Sequence, residues 1–212
     1  MSSETENEPA HPGVGPVVSA AHLASGAMPA LSEVEFAVTM MVNAYHRWMA
    51  RCMAAAGAPG ISPLETLVLH SVNHRGRPKS LADICLVLNI EDTHTVTYAL
   101  KKLQAAGLVE TGRRGKEKTV AITAEGEKIC LEYRRLREAL LVGPVKGLGM
   151  DEQELSRLAA TLRSVSGHYD QAARAAAARA ALDAQMLRVA FRGGLRLHVW
   201  GGAELPLALF AD

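Results

Sequence analysis

Apolar residues recur at steps of three and four along most of the chain, a spacing that places them on one side of an α-helix. We predict a first long helix over residues 31–57, with Ser32 as its N-cap and Glu35 completing a capping box. Its apolar row is broader than a small domain needs to cover, which indicates a helix that packs against another molecule. The row comprises Val34, Val38, Met41, Tyr45, Trp48 and Cys52.

Three shorter helices follow, each opened by a residue whose side chain can cap backbone N–H groups. Ser62, followed by Pro63, and Ser80 open the first two, and Asp92 opens the third, which runs to about Ala106. Gly107 is a natural C-cap for this third helix. The break between the second and third of them is the stretch LNI, residues 88–90. Two helices joined by such a tight turn predict a helix-turn-helix.

The stretch after Gly107 changes from helical to strand-like patterning. LVETG and KTVAIT have the β-branched content of two short strands, and RRGKE is predicted as the turn between them. Thr123 then caps a long helix, and Asp151 begins another after the break GPVKGLGM. The predicted fold is mainly α with a small two- to three-stranded β wing. It is a winged helix-turn-helix with long N- and C-terminal dimerisation helices.

These elements divide the chain into five segments. A disordered tail is predicted for residues 1–30, which are rich in Pro, Gly, Ser and Glu. The N-terminal dimerisation helix spans 31–57, the winged helix-turn-helix spans 61–124, and C-terminal dimerisation helices span 124–186. Residues 187–212 form a tail to which the pattern assigns no structure.

The third short helix has one apolar and one polar side. At about 100° per residue, Val96, Leu100 and Leu103 share the side predicted to be buried. The opposite side presents hydroxyl, imidazole, phenol and ammonium groups, which can bind base edges and phosphates. The candidate DNA-binding residues on this helix are Thr93, His94, Thr95, Thr97, Tyr98, Lys101 and Lys102.

The ribbon that follows adds a cluster of positive charge, although the formal net charge of the whole chain is only +1. Arg113, Arg114, Lys116 and Lys118 are further candidate DNA-binding residues, since a basic ribbon fits a minor groove or its flanking phosphates. Such residues on a helix and a hairpin more often form a merely solvated surface, and winged helices also bind proteins. The alternative function is therefore a winged-helix protein-interaction module without DNA binding.

The sequence resembles the MarR family of bacterial transcription regulators over residues 61 to about 142. The resemblance lies in SLADICLVLNI, in THTVTYALKKLQAAGLVE and in TVAITAEGEKI. It implies a homodimer that binds palindromic double-stranded DNA, with the first and last helices interlocked as the dimerisation layer. It also implies a small-molecule effector, to which Arg47, Trp48 and Arg51 could contribute, although Trp48 is more simply a core or dimer residue. Two departures are Tyr98, where the family often has arginine, and a wing without the family's aspartate.

Other chemistry has little support in the sequence. The three cysteines, Cys52, Cys85 and Cys130, lie scattered in apolar helical rows, which indicates buried thiols and not a disulfide framework. His70 and His74 are four residues apart, but no further ligand with metal-site spacing stands beside them. Known catalytic and nucleotide-binding motifs are absent, so we expect no enzyme, cofactor or metal. Without a signal peptide or a membrane-spanning stretch, a cytoplasmic protein is expected.

Overall fold

The computed structural model of the chain describes residues 16–192 and divides the protein into two compact units. The first unit extends to Val145 and the second begins at Lys146. Residues 16–192 contain seven α-helices and three β-strands. The predictions for residues 1–15 and 193–212, parts of the two predicted tails, lie outside the described residues.

The first helix, α1 (Pro29–Ala55), begins earlier than the sequence suggested. Ser32 is not its N-cap: this residue is buried inside the helix, and its hydroxyl donates to the Leu23 carbonyl oxygen at 2.8 Å. Proline at the first helical position is favourable, because its missing N–H would have no partner there. A 3₁₀ turn, Ala21–Ser25, precedes the helix, so the prediction of a disordered tail is wrong for this segment.

The three short helices are α2 (Pro63–Asn73), α3 (Leu81–Leu88) and α4 (Thr93–Ala105). All three predicted N-caps are confirmed. Ser62 and Ser80 form capping boxes with Glu65 and Asp83, in which each partner satisfies a backbone N–H of the other. The third cap is the Asp92 carboxylate, which accepts a hydrogen bond from the backbone N–H of His94 at 2.9 Å. The C-cap of α4 is Ala106, and Gly107 follows it with φ +72°, so the cap lies one residue before the predicted one.

A three-stranded antiparallel sheet completes the winged helix, in the order β1-β3-β2. Its strands are β1 (Lys79–Ser80), β2 (Val109–Arg114) and β3 (Glu117–Ile122). The prediction that RRGKE forms the turn is wrong. Arg113 and Arg114 pair with Lys118 and Glu117 in the sheet, which leaves two residues for the turn.

Most of the described residues after the sheet are helical, in both units. Thr123 caps α5 (Ala124–Arg137) by accepting from the Gly126 N–H at 3.0 Å, as predicted. A π-helical turn, Glu138–Val142, and the short α6 (Gly143–Lys146) follow. In the second unit, α7 (Glu152–Arg192) runs past residue 186, so residues 187–192, to which the sequence pattern assigned no structure, are helical.

The core of the first unit lies among α1, α2, α3, α4, α5 and the sheet. Aromatic residues make up only 4% of the chain, so long flexible and branched aliphatic side chains fill this space. Thr66 is also fully buried, and its hydroxyl is satisfied because it donates to the Ser62 carbonyl oxygen at 2.9 Å. The largest apolar side chains that are almost fully buried are Met49, Met53, Val68, Leu69, Val72, Ile84, Val96 and Leu103.

Gly126, in the Ile-Thr-x-x-Gly stretch after the wing, is where α5 approaches the segment that follows α4. A Cβ at this position would overlap the carbonyl oxygen of Leu108 and lie 2.8 Å from Cδ1 of Ile122. The Leu108 carbonyl also accepts from the Thr123 N–H at 3.1 Å, which fixes the backbone against which Gly126 packs. Only glycine therefore allows this junction between the wing and α5.

Substituting Gly126→Ala should destabilise the first unit, by roughly 1–3 kcal/mol, because backbone and not only a side chain must move. The free energy of unfolding in urea measures this effect. Gly143→Ala is the matched control, because a Cβ there meets nothing within 4 Å. The control should be at least as stable as the parent, because Gly143 has helical backbone angles and alanine is the better helix former. Equal stability of the two variants would contradict the packing account.

Candidate nucleic-acid interface

Helix α4 is held with one side in the core. Val96, Ala99 and Leu103 are buried, whereas Leu100, predicted to be buried, is only partly so. Ala99 takes its place, which rotates the buried side slightly from the one predicted. Asn89 adopts a left-handed conformation, φ 53° and ψ 47°, and so forms the tight turn between α3 and the segment that leads into α4. The polar side of α4 must therefore face outward.

The exposed side of α4 contains most of the predicted DNA-binding residues. Thr93, His94, Thr95, Tyr98 and Lys101 are exposed, and Thr97 is partly so. Tyr98 is 65% exposed although its side chain is large and aromatic. The hydroxyl groups of Thr95 and Thr97 donate to backbone carbonyls at 2.7 and 2.8 Å. These two hydroxyls are thus held in place and keep their acceptor lone pairs for an external donor.

Lys102 differs from the other lysine of this helix because its ammonium is already paired. Its Nζ lies 2.7 Å from Oε1 of Glu65, and the Glu65 side chain is only 4% exposed. The other carboxylate oxygen accepts from the Ser62 N–H at 2.8 Å. Nζ also lies 5.8 Å from the centroid of the Tyr98 ring, within the range of a cation–π contact. The prediction grouped Lys102 with DNA-binding residues, yet its amine is directed to the protein.

The protonation state of Glu65 follows from these contacts. Burial alone would raise its pKa, but the hydrogen bonds from Lys102 and from Ser62 outweigh it, and the pKa lies below the ordinary value. The same hydrogen bond raises the pKa of Lys102. Both groups therefore stay charged at neutral pH. A buried carboxylate held in this way has its acceptor positions satisfied, which keeps the pair ordered.

The wing presents its basic residues along two strands. Gly115, with φ +64°, makes the turn, and residues 111–118 are exposed. Arg113 and Lys118 are directly opposite each other, which doubles the charge at one position of the ribbon. Nη2 of Arg114 lies 2.8 Å from Oε2 of Glu117. An acidic partner for a wing arginine, expected to be missing, is thus supplied by glutamate three residues later and not by aspartate.

Asp83 brings a further charge close to the wing. Hydrogen bonds from the backbone and side chain of Ser80 lower its pKa, and the positive charges of Arg114 and Arg77 lower it further. The sequence patterns did not indicate Asp83, Glu65 or Glu117 as residues of this surface. The first two carried only a capping signal, and the i, i+3 spacing of Arg114 and Glu117 was the available signal for the third.

The comparisons agree with this geometry. Residues 61–126 match the protein-family model described as "Winged helix DNA-binding domain". This segment is similar to winged-helix DNA-binding domains, and its helices and sheet have the winged-helix fold. No curated protein sequence matches the chain. Among solved structures, a mutant MarR from E. coli complexed with operator DNA is similar with a TM-score of 0.54 and 19% identity, over 66% of this chain and 99% of that one.

Two further structures share the fold. A MarR-family transcriptional regulator from Rhodococcus sp. RHA1 has a TM-score of 0.52 and 14% identity, over 63% of this chain and 91% of that one. CouR from Rhodococcus jostii RHA1, bound to p-coumaroyl-CoA, has a TM-score of 0.50 and 13% identity, over 62% and 90%. The protein therefore has the fold of MarR-family regulators, with a winged-helix domain and a long C-terminal helix.

The effector candidates on α1 are not all in the same environment. Trp48 is partly buried against the winged-helix core, with its ring centroid 6.4 Å from that of Tyr133 in an edge-to-face contact. Arg47 and Arg51 are exposed and one helical turn apart. Trp48 is therefore a packing residue of the first unit, and the two arginines form a separate basic edge. A shared ligand site for the three residues remains a prediction.

Other reactive side chains lie away from the winged-helix surface. His70 packs edge-to-face on Tyr133, with ring centroids 4.7 Å apart, and burial lowers its pKa. Within residues 16–192, no group of three or more His, Cys, Asp or Glu side chains could hold a metal ion. Among the same residues, no helix is both long and apolar enough to cross a membrane.

The three cysteines should react slowly with a bulky thiol reagent in the folded protein. All are buried, and burial raises the pKa of Cys130 to about 11 and also raises that of Cys52. Since the thiolate is the nucleophile, both access and ionisation are unfavourable. Labelling should become fast in urea, which serves as the control. Rapid modification of Cys85 in the native state, with loss of DNA binding, would instead indicate a redox sensor.

Proposed function

We propose that this protein is a transcription regulator that binds an inverted-repeat DNA site as a homodimer. The observation that carries the proposal is the outward side of α4, with Tyr98 and Lys101, next to a basic ribbon on the same winged-helix domain. Helix α4 would enter the major groove, where base edges differ for each pair. The ribbon would contact the minor groove or its phosphates.

The relatives support this function. The E. coli MarR structure that shares this fold contains operator DNA, and the matched family model describes a DNA-binding domain. A helix-turn-helix surface places one recognition helix in one half-site, so two copies related by twofold symmetry fit two half-sites. The competing function, a protein-interaction module, requires an acidic protein partner that covers both the exposed side of α4 and the basic ribbon.

Helix α1 supplies the first part of the proposed dimer interface. Val34, Val38, Met41 and Tyr45 form an apolar row that is 40–65% exposed in the single chain. In the second unit, Leu155, Leu158 and Leu162 form a similar row on α7, at 37–47% exposure. Rows of this kind are stable in water when a second copy covers them.

An effector is a second element of the proposal. CouR, which shares the fold, was solved with p-coumaroyl-CoA. The exposed Arg47 and Arg51 on α1 suit an anionic group, since guanidinium groups bind carboxylates and phosphates through two hydrogen bonds. We therefore propose that an anionic small molecule binds at this edge and changes DNA affinity.

Substitutions of residues that contact bases and of residues that contact phosphates should change DNA binding in different ways. Tyr98→Ala should cost about 1–3 kcal/mol of binding free energy and relax the base preference at one position of each half-site. The double substitution of Lys116 and Lys118 by Ala should weaken all duplexes nearly alike. It should flatten the slope of log affinity against log salt by roughly one for each phosphate that the variant no longer neutralises.

Fluorescence anisotropy with labelled duplexes over a salt series measures both effects. The matched control is the double substitution of Lys128 and Arg135 by Ala, which removes the same charge from the exposed side of α5. This control should bind with nearly the parent's slope. If the Tyr98 and wing variants both bind like the parent, the interaction module becomes the better explanation.

The oligomeric state should depend on the apolar row of α1. Val38→Glu combined with Met41→Glu places two charges in that row and should produce a monomer, because a dimer would bury both carboxylates. Light scattering after size-exclusion chromatography measures the mass. Thr39→Glu is the control, about 100° or more around the helix from the two positions. A double variant that remains a dimer of native stability would place the interface elsewhere.

A further inference from the structure

We propose that Lys102 and Glu65 are positioning residues for base recognition, and that Lys102 acts through Tyr98 without contacting phosphate. This inference deepens the proposed DNA-binding function and rests on it. It concerns three residues on two helices: Glu65 at the start of α2, and Tyr98 and Lys102 one turn apart on α4.

The contacts that lead to Tyr98 begin at Glu65, whose side chain is held in one position. Glu65 is the third residue of α2, and its carboxylate is held by the Ser62 N–H while its own backbone N–H donates to the Ser62 hydroxyl. Glu65 is only 3% exposed, so it belongs to the core and cannot move with a bound ligand. Its second carboxylate oxygen, Oε1, is directed at α4 and accepts Lys102 Nζ at 2.7 Å.

The Lys102 ammonium is directed at Glu65. Its side chain is 43% exposed, so the alkyl stem reaches the surface while the charge is turned toward a buried carboxylate. The Glu65 carboxylate offsets the charge of this ammonium, so Lys102 offers a phosphate less net positive charge than a lysine without an acidic partner would. Lys101, the next residue, is exposed and forms no ion pair within residues 16–192.

The ion pair of Lys102 and Glu65 is also next to the ring of Tyr98. The Lys102 ammonium lies 5.8 Å from the centre of the Tyr98 ring. Tyr98 itself is 65% exposed. An exposed tyrosine with few neighbours samples several rotamers, and this freedom must be restricted when the ring meets a base. A cation fixed by a buried carboxylate, at one side of the ring, favours one orientation before DNA arrives.

The adjacent lysines provide the test, because they have the same side chain and differ in their partner. Lys101→Met should lower the salt slope by about one and leave base preference intact. Lys102→Met should leave the slope unchanged and reduce discrimination about five- to tenfold at the half-site position that Tyr98 reads. The double variant of Lys102→Met and Tyr98→Ala should be no worse than Tyr98→Ala alone, since both act through one contact.

Three additional variants separate positioning from general destabilisation. Lys102→Arg keeps a cation able to reach Glu65 and should retain base preference. Glu65→Gln should relax preference at the same position without lowering the slope, and its melting temperature shows whether it is folded. Lys102→Met leaves the buried Glu65 carboxylate without its cation, so its melting temperature is measured as well. The double variant of Glu65→Gln and Lys102→Met removes both charges, should relax base preference in the same way, and keeps the test informative if a single variant does not fold.

The outcomes are distinguishable from failure of the proposed function. If Lys102→Met lowers the salt slope as Lys101→Met does and leaves base preference unchanged, Lys102 is a phosphate contact and the inference is wrong, while DNA binding stands. Weaker binding without any change in preference would also overturn it. If the parent protein binds no duplex at any salt concentration, the proposed function fails and this inference fails with it.

Discussion

The burial of one side of α4 is the constraint on which the rest of the winged helix depends. Val96 and Leu103 are fully buried and Ala99 is nearly so, which determines both the depth and the rotation of the helix. The polar residues of α4, on the opposite side of the helix, must therefore face outward. The same packing sets the start of β2, because Leu108 and Val109 are buried directly after the helix ends. The position of the wing thus follows from the position of the helix.

The arrangement of charge follows from this packing. A chain with a formal net charge of +1 still presents local basic surface, because its acids serve other purposes nearby. Glu65 is buried and holds Lys102, and Glu117 orients Arg114. The Asp83 carboxylate accepts from the Ser80 N–H and so completes the capping box of α3 close to the wing. These three carboxylates are part of the construction of the surface. The ammonium groups of Lys101, Lys116 and Lys118 are exposed and remain available to a polyanion.

Much of this fold could be predicted from periodicity and capping chemistry. The caps at Ser62, Ser80, Asp92 and Thr123 are local signals, because a backbone N–H two or three residues away satisfies them. The sequence misleads where a distant partner decides the outcome. Ser32 matches an N-cap pattern, but its hydroxyl bonds to Leu23, and the helix has already begun at Pro29.

The candidate DNA-binding residues could be predicted from the sequence about as well as the fold. Helical geometry alone placed Tyr98 and Lys101 outward, and the basic residues of the wing were visible as a cluster. The ion pair between Glu65 and Lys102 joins two helices that are far apart in the sequence, so no local pattern distinguishes Lys102 from Lys101. Likewise, the strand register assigns Arg113 and Arg114 to β2, whereas composition suggested a longer turn.

Selection of bound duplexes from a random DNA pool, at a stated salt concentration, tests the central claim most directly. A homodimer that inserts one recognition helix into each half-site should enrich an inverted repeat whose half-sites are about one helical turn apart, centre to centre. Enrichment of such a repeat is the predicted result. A pool that retains no DNA, or that shows no sequence preference after repeated rounds, would contradict the account.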